Sequence, residues 1–406
     1  MDIFHESPLF SGVRQMLGAF AKQVIRPVAA QHDAEESMPW AVIKQAQSFG
    51  LSQTAVIDGR KKLTGVEDDS DPTKPKTAAR LGVIGTEELA YGCGGICVAI
   101  GGSGLAGSPV SRMGTAEQKQ EFKRLLQGLD EHGHVRVAAM ALSEPATGSD
   151  ISGLKTICRQ DGDYYIIRGS KQWITNGQSA SVYVVWAQTE GSTGRDGVRG
   201  FIVARGAPGL IPGKKEIKLG IRASETAQVH FEDVRVHKDM MLGIANAGRS
   251  TAGGLADTKK MLDSTRPAVG AQGVGVARAT HEFLVERVKR GSLRGTPMAS
   301  HQHIMFELAE MAMEIHASRL LVHRAAWMAD HHLENVAEAS MAKAHGARTA
   351  QSVTTRAMVL LGEEALEPGH PVEKWYRDAK IYDIFEGTGQ IQRRIISKHL
   401  TGQNPV

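Results

Sequence analysis

The chain has 406 residues, 48 Lys plus Arg against 44 Asp plus Glu, and a formal charge of +4. That length amounts to about two to three average domains and encloses a large core without cross-links, while so small a positive surplus excludes the field that general nucleic-acid binding needs. Three cysteines, Cys93, Cys97 and Cys158, build neither a disulfide framework nor a CxxC zinc or redox motif, which fits a reducing compartment. The opening MDIFHESPLF has no basic n-region or apolar h-region, and no run approaches the roughly 18 apolar residues of a membrane helix. The chain reads as cytoplasmic and without a membrane.

In chain order, residues 7–133 carry a helical period. Between 13 and 30, Val13, Met16, Leu17, Phe20, Val24 and Ile25 recur at three- and four-residue spacings, one apolar stripe. Residues 58–77, rich in Lys, Asp and Pro, interrupt the helices as a solvated loop. Near Val135 the period becomes two. VRVAAMAL, DYYIIRG, SVYVVWAQ, GFIVARG and TAQVHFEDVRV are short β-branched and aromatic runs broken by Gly and Asp, each predicted as a half-buried strand. Beyond about Gly248 the helical period returns. Between Met305 and Met328, Phe306, Ala309, Met313, Ala317 and Leu320 form one stripe and Leu308, Ala312 and Ile315 another, so this helix is expected inside a bundle. The expected fold is mainly α with a β domain: helices over 1–134, strands over 135–246, helices over 247–406.

Three segments stand out chemically. In ALSEPATGSD (141–150) a strand exits through Pro145 into a turn with hydroxyls at Thr147 and Ser149; its N–H groups can hold an anion or a polar ring edge, or it is an ordinary strand exit. KQWITNG (171–177) puts Trp173 and Thr175 on one side of a strand, as a wall for a planar cofactor or as a core Trp with a neighbour. In RDAKIYDIFEGTGQIQRR (377–394) Glu386 follows Phe385 and precedes Gly387 and Thr388, either a desolvated base or an exposed acid at a helix start.

Taken together, and with EELAYGCGG (87–95), HFEDVRV (230–236), DSTRP (263–267), ELAEMAM (307–313) and PVEKWYRDAKIY (371–382) in the same order, the segments resemble the acyl-CoA dehydrogenase family over nearly the whole chain. The resemblance implies an amino-terminal helical domain, a middle β domain that binds flavin and acyl-CoA, and a carboxy-terminal four-helix bundle. It implies oxidation of the Cα–Cβ bond of an acyl-CoA to a trans-2-enoyl-CoA, with FAD accepting a hydride and Glu386 removing the α-proton. A carboxylate in a dry site suits that task because the α-proton of a thioester is only weakly acidic. By the same resemblance Met140, Leu142, Ser143, Trp173, Thr175, Thr388 and Gln390 contact FAD. Met140 stands where relatives often place an aromatic, and a thioether also packs on a ring. Phe385 and Gly387 flank the substrate, Ser149 meets the pantetheine or phosphate region, and Asp263 and Arg266 take the pantetheine and adenine end of CoA; Arg266 read alone is equally a helix-capping or surface charge. An electron-transfer flavoprotein is the implied electron acceptor. A non-catalytic flavin-binding or scaffolding subunit and an acyl-CoA oxidase are the competing readings.

Two departures shape further expectations. Gly101, Gly102 and Gly104 lie where the family closes its acyl pocket, and they predict a deeper or wider pocket, or else close helix packing. In homotetrameric relatives each FAD also touches the neighbouring subunit through an Arg with a Phe-Gly element and through a Gln- and Gly-rich loop. Here VKRGSLRGTPMASHQ (288–302) lacks Phe-Gly, though Arg287 or Arg290 could reach a phosphate, and Val359, Glu363 and Ala365 replace the Gln and two glycines. The chain is expected in a tetramer, and as a hetero-oligomer with a related subunit.

Overall fold

The computed structural model describes residues 7–58, 76–194, 196–243, 255–293 and 295–403, with the side chains of Val56, Asp58 and 255–264 not described. The loop expected over 58–77 thus lies, except at its ends, outside the described residues. Helix α1 (Pro8–Phe20) starts at Ser7, whose hydroxyl accepts from the Phe10 N–H, and passes through a π-helical turn (Ala21–Ile25) into α2 (Arg26–Ala34). The wide turn stands just before Pro27, which has no N–H to give the helical ladder. Val13, Leu17, Phe20 and Ile25 of the predicted stripe are buried. There follow α3 (Trp40–Ala46), α4 (Ala55–Asp58), α5 (Ala78–Gly92), α6 (Gly94–Gly101), α7 (Ser103–Met113) and α8 (Ala116–Leu125), the last opened by a Thr115–Gln118 capping box.

Seven strands form one sheet: β1 (Ala138–Ala141), β2 (Ile157–Asp161), β3 (Tyr164–Thr175), β4 (Val182–Thr189), β5 (Val198–Ala204), β6 (Leu210–Lys215) and β7 (Thr226–His237). Strand β4 is antiparallel to β5 on one edge. Its other edge is divided: β1 pairs in parallel with residues 182–185, and β2 takes over at Gln188 and Thr189. The predicted half-buried alternation of SVYVVWAQ is therefore corrected. Every residue of β4 but the last is buried, because Tyr183, Val185 and Ala187 face the sheet's own core while Val182, Val184 and Trp186 pack against Ala106, Val110 and Phe122 of α7 and α8.

Helices α9 (Leu255–Arg290), α10 (Gln302–Asp330), α11 (Val336–Leu361), α12 (Pro371–Ala379) and α13 (Gly389–Thr401) complete the chain, with a small hairpin, β8 (Ser292–Leu293) and β9 (Thr296–Pro297), between α9 and α10. The extra residues after Arg290 make that hairpin. Helices α9 and α11 touch backbone to backbone, since a Cβ added at Gly270 would lie 2.6 Å from the Ala342 carbonyl oxygen. One core joins both helical parts: Phe20, Ile43 and Ile96 pack with Val274, Met311 and Ala350. Helix α10 is not enclosed on all sides as expected. Leu308, Met311 and Ile315 are buried, but Phe306, Met313 and Leu320 stay exposed at 63, 55 and 46%, an apolar face of the kind that marks contact surfaces. Among the described residues no helix is long and apolar enough to cross a membrane.

Candidate active site

Where β4 changes partner from β1 to β2, residues 142–150 peel away from the sheet. The Ser143 carbonyl accepts from the Gln172 N–H at 2.9 Å, tying the first segment to the second. Beneath this tie lies a buried ion pair. The Glu144 carboxylate accepts from the Lys155 N–H (2.6 Å), the Thr156 N–H (2.9 Å) and Lys171 Nζ (2.8 Å), and the same ammonium donates to the Leu142 carbonyl at 2.9 Å. Burial pulls Lys171 down to about 8 against the pull of Glu144. Burial also pushes Glu144 upward, but the Lys171 charge and the donors outweigh it and hold the carboxyl below its ordinary value.

Strand β3 loses register with β7 between Lys171 and Ile174, and the bulge turns Trp173 to φ +62°, a left-handed conformation costly for a bulky residue. Its ring is 56% exposed, so the core-Trp reading is excluded. Thr175 is half-buried beside it, and Asn176, also left-handed, donates Nδ2 to the Ala138 carbonyl at 3.0 Å. Met140 is half-buried on β1, Leu142 is buried, and Ser149 is exposed on the loop. An exposed indole on a fixed bulge, beside an open loop and a threonine, fits a flavin ring. Buried Asn176 Oδ1, with no hydrogen-bond partner, is one more polar atom on that wall.

Glu386 and Gly387 form a turn with consecutive positive φ values, +52° and +93°. Thr388 caps α13 by accepting from the Ile391 N–H, while Gln390 is exposed. Phe385 is half-buried against Tyr382, with ring centroids 6.0 Å apart. The exposed-acid reading of Glu386 fails, because its Oε2 is shielded from solvent and lacks a hydrogen-bond partner. Burial raises the Glu386 carboxyl above its ordinary value; a hydrogen bond with Thr265 and the charges of Lys343 and Arg266 oppose the shift. Arg266, expected at the CoA tail or on the surface, is 5% exposed and acts electrostatically on both Glu386 and Lys343. Its guanidinium belongs with the base. The side chain of Asp263 lies outside the described residues.

The short helix α6 connects the two halves of the site. At its start Gly94 leaves no room for a side chain against the Tyr382 hydroxyl; just past its end a Cβ on Gly102 would stand 2.9 Å from Thr175 Cγ2. Eight residues of helix span about 12 Å, from the Tyr382 hydroxyl at one end to Thr175 at the other. Gly102 thus serves close packing, Gly101 is exposed with open space before it, and Gly104 is half-buried. Asp378 adds a second tie between the halves, accepting from the Ile221 N–H and from Lys374, both at 2.5 Å. Sequence reasoning missed Lys171, Glu144, Thr265, Lys343 and Gln392 as working residues. The available signal was a lysine inside an apolar strand or helix period, at Lys171 and Lys343, both completely buried.

Comparison with known proteins identifies the family. Family models for the acyl-CoA dehydrogenase middle domain and C-terminal domain match residues 139–234 and 252–401. The mitochondrial short-chain specific acyl-CoA dehydrogenase of Bos taurus is 36% identical over 390 residues, 96% of this chain and 89% of that protein. The structure of butyryl-CoA dehydrogenase from Megasphaera elsdenii superposes with a TM-score of 0.86 at 31% identity, covering 98% of this chain and 100% of the other. A chain from a structure of the electron transferring flavoprotein of Acidaminococcus fermentans does so at 0.87 and 30%, covering 99 and 100%. The chain therefore belongs to the acyl-CoA dehydrogenase family, oxidoreductases that act on CH–CH groups.

Proposed function

We propose that Glu386 is the base that takes the α-proton of an acyl-CoA thioester, and that the product is the trans-2-enoyl-CoA. The observation that carries this reading is a buried Oε2 with no hydrogen-bond partner on a left-handed turn, one carboxylate oxygen left to receive a proton. Burial raises the acid while Thr265 and the positive charges of Lys343 and Arg266 oppose the rise, a direction that suits a general base. Met140, Leu142, Ser143, Trp173, Thr175, Thr388 and Gln390 would hold FAD, and Phe385, Gly387, Ser149 and Asp263 the acyl-CoA, with Arg266 near the thioester end. FAD, when bound, accepts the hydride that leaves Cβ as the Cα–H electrons form the double bond. Glu386→Gln should fold and bind FAD yet lose about 10³-fold or more in kcat; near wild-type turnover refutes the assignment, and a wild-type flavin that no acyl-CoA bleaches anaerobically would restore the scaffold reading. Peroxide formation during turnover would favour the oxidase reading over an electron-transfer flavoprotein, the acceptor proposed here.

The missing side chain at Gly101, where the family closes its acyl pocket, is the ground for proposing an acyl group wider than butyryl; Gly102 is taken up by close packing against Thr175. Butyryl-, octanoyl-, branched and polycyclic acyl-CoA thioesters assayed with an artificial acceptor decide it; a clear preference for butyryl-CoA counts against the wide pocket. For assembly, the exposed face of α10 supports a tetramer. The neighbour-facing elements support a hetero-oligomer, because Arg287 is gripped by Glu364 of the same chain (Nε–Oε1 2.9 Å, Nη2–Oε2 2.8 Å) and Val359 is 77% exposed. An arginine so paired is a poor donor to a neighbour's phosphate. One FAD per chain in a stable, active homotetramer would refute the hetero-oligomer. A cytoplasmic location is part of the same proposal.

A further inference from the structure

Lys343 lies on α11 one residue past Ala342, whose carbonyl faces Gly270 of α9, and three before Gly346, which meets α9 in the same way. With both neighbours locked against α9, the side chain is completely buried and reaches the turn at Glu386, where Nζ donates to the Gly387 carbonyl at 2.7 Å. That carbonyl already accepts from Gln392 Nε2 at 2.8 Å, and the same amide reaches the Glu386 carbonyl at 3.4 Å. Satisfying the Gly387 oxygen thus does not require a buried ammonium, which is costly to desolvate. The charged groups around Lys343 are Asp383 and Glu386, which favour its cation, and Arg266, which opposes it; burial nevertheless pulls it down to about 8. Of these partners, only Glu386 must be ionised for the reaction proposed above.

We infer that Lys343 is a positioning residue for the base: its ammonium fixes the left-handed Glu386–Gly387 turn through the Gly387 carbonyl and sets a positive charge behind the carboxylate. A non-glycine residue at positive φ relaxes when its ties are removed, and a small displacement of a base from its proton is expensive in rate. The inference rests on Glu386 being the base, so both are tested together. Holoenzyme carrying Lys343→Met, Lys343→Arg, Lys343→Gln or Glu386→Gln is assayed with the fastest thioester of the panel, over pH, and for deuterium uptake at Cα in D₂O without an electron acceptor. Lys343→Met should keep its FAD content, change KM less than about threefold and lose about 10–100-fold in kcat and in exchange. Its acid limb should move up by roughly half to one pH unit as the carboxylate loses a cation. Lys343→Arg should recover most of both. Lys343→Gln, which keeps a donor but no charge, should shift the limb with a smaller loss of rate, and it serves if the methionine variant does not fold. A wild-type limb and rate in Lys343→Met or Lys343→Gln, with Glu386→Gln inactive, overturns the inference alone; an active Glu386→Gln overturns the base reading.

Discussion

Replacing Lys171 by methionine removes a cation that is completely buried and shared between two acceptors, Leu142 O and Glu144 Oε1. Breaking one side of a buried pair costs about 3–5 kcal/mol, because the remaining charge is stranded. Glu144 keeps its two backbone donors from Lys155 and Thr156, so the lower end, ~3 kcal/mol, applies. Unfolding entropy near 2.1 cal/mol/K per residue makes that loss worth about 3–4 °C in Tm for a chain of this length. The damage should concentrate at the flavin wall, since the pair binds the exit of β1 to the strand that carries Trp173. Differential scanning calorimetry of the holoprotein and titration of the stripped protein with FAD measure the two effects, with FAD affinity falling about tenfold for ~1.4 kcal/mol lost at the site. The double variant Lys171→Met with Glu144→Gln should regain part of the stability, because no charge remains stranded. A Lys171→Met protein with unchanged Tm and FAD affinity refutes the reasoning.

Two further outcomes can be checked. Gly101→Ala, with open space before it, should be neutral or stabilising by up to ~1 kcal/mol, whereas Gly102→Ala pushes on Thr175 and should weaken FAD binding measured by fluorescence titration; equal behaviour of the two would contradict the packing described. Because burial raises the Glu386 carboxyl, the acid limb of kcat/KM should lie above the ordinary glutamate range: activity rises with pH as Glu386 ionises and is lost as pH falls through its raised pKa, and a limb at ordinary glutamate values would contradict the buried base.

The helix–strand–helix order was legible because periodicity reports which face is buried, and long amphipathic runs such as 8–34 leave little choice. Strand β4 was misread for the opposite reason. Its two faces meet two different cores, a fact about distant residues in α7 and α8 that no local pattern contains. At the site, Glu386 and Trp173 were visible as residue types in a motif, but their geometry was not: φ +52° and +62° come from a turn tied by Lys343 and Gln392 and from a bulge against β7. Arg266 was given to the CoA tail by resemblance of its motif, whereas its burial and its electrostatic action on Glu386 come from tertiary packing that the motif does not contain. The exposed face of α10 was read as interior, since periodicity shows that a face is apolar but not what covers it.

The core shared by the first and last helices bears on synthesis. Ile96 and Ile100 of α6 complete their burial against residues such as Val274 and Val269 of α9, with the entire sheet lying between them in the chain. At a translation rate of about 5–20 residues per second, the early helices wait on the order of 10–30 s before their partners emerge. During that interval the apolar faces of α5 and α6 that await α9 are open to other nascent chains, while α1 can close on α5 through Val13, Leu17, Leu81 and Ile84 and the sheet, whose strands pair among themselves, can close as well. Newly made protein should therefore depend on chaperones for its amino-terminal third more than for its middle.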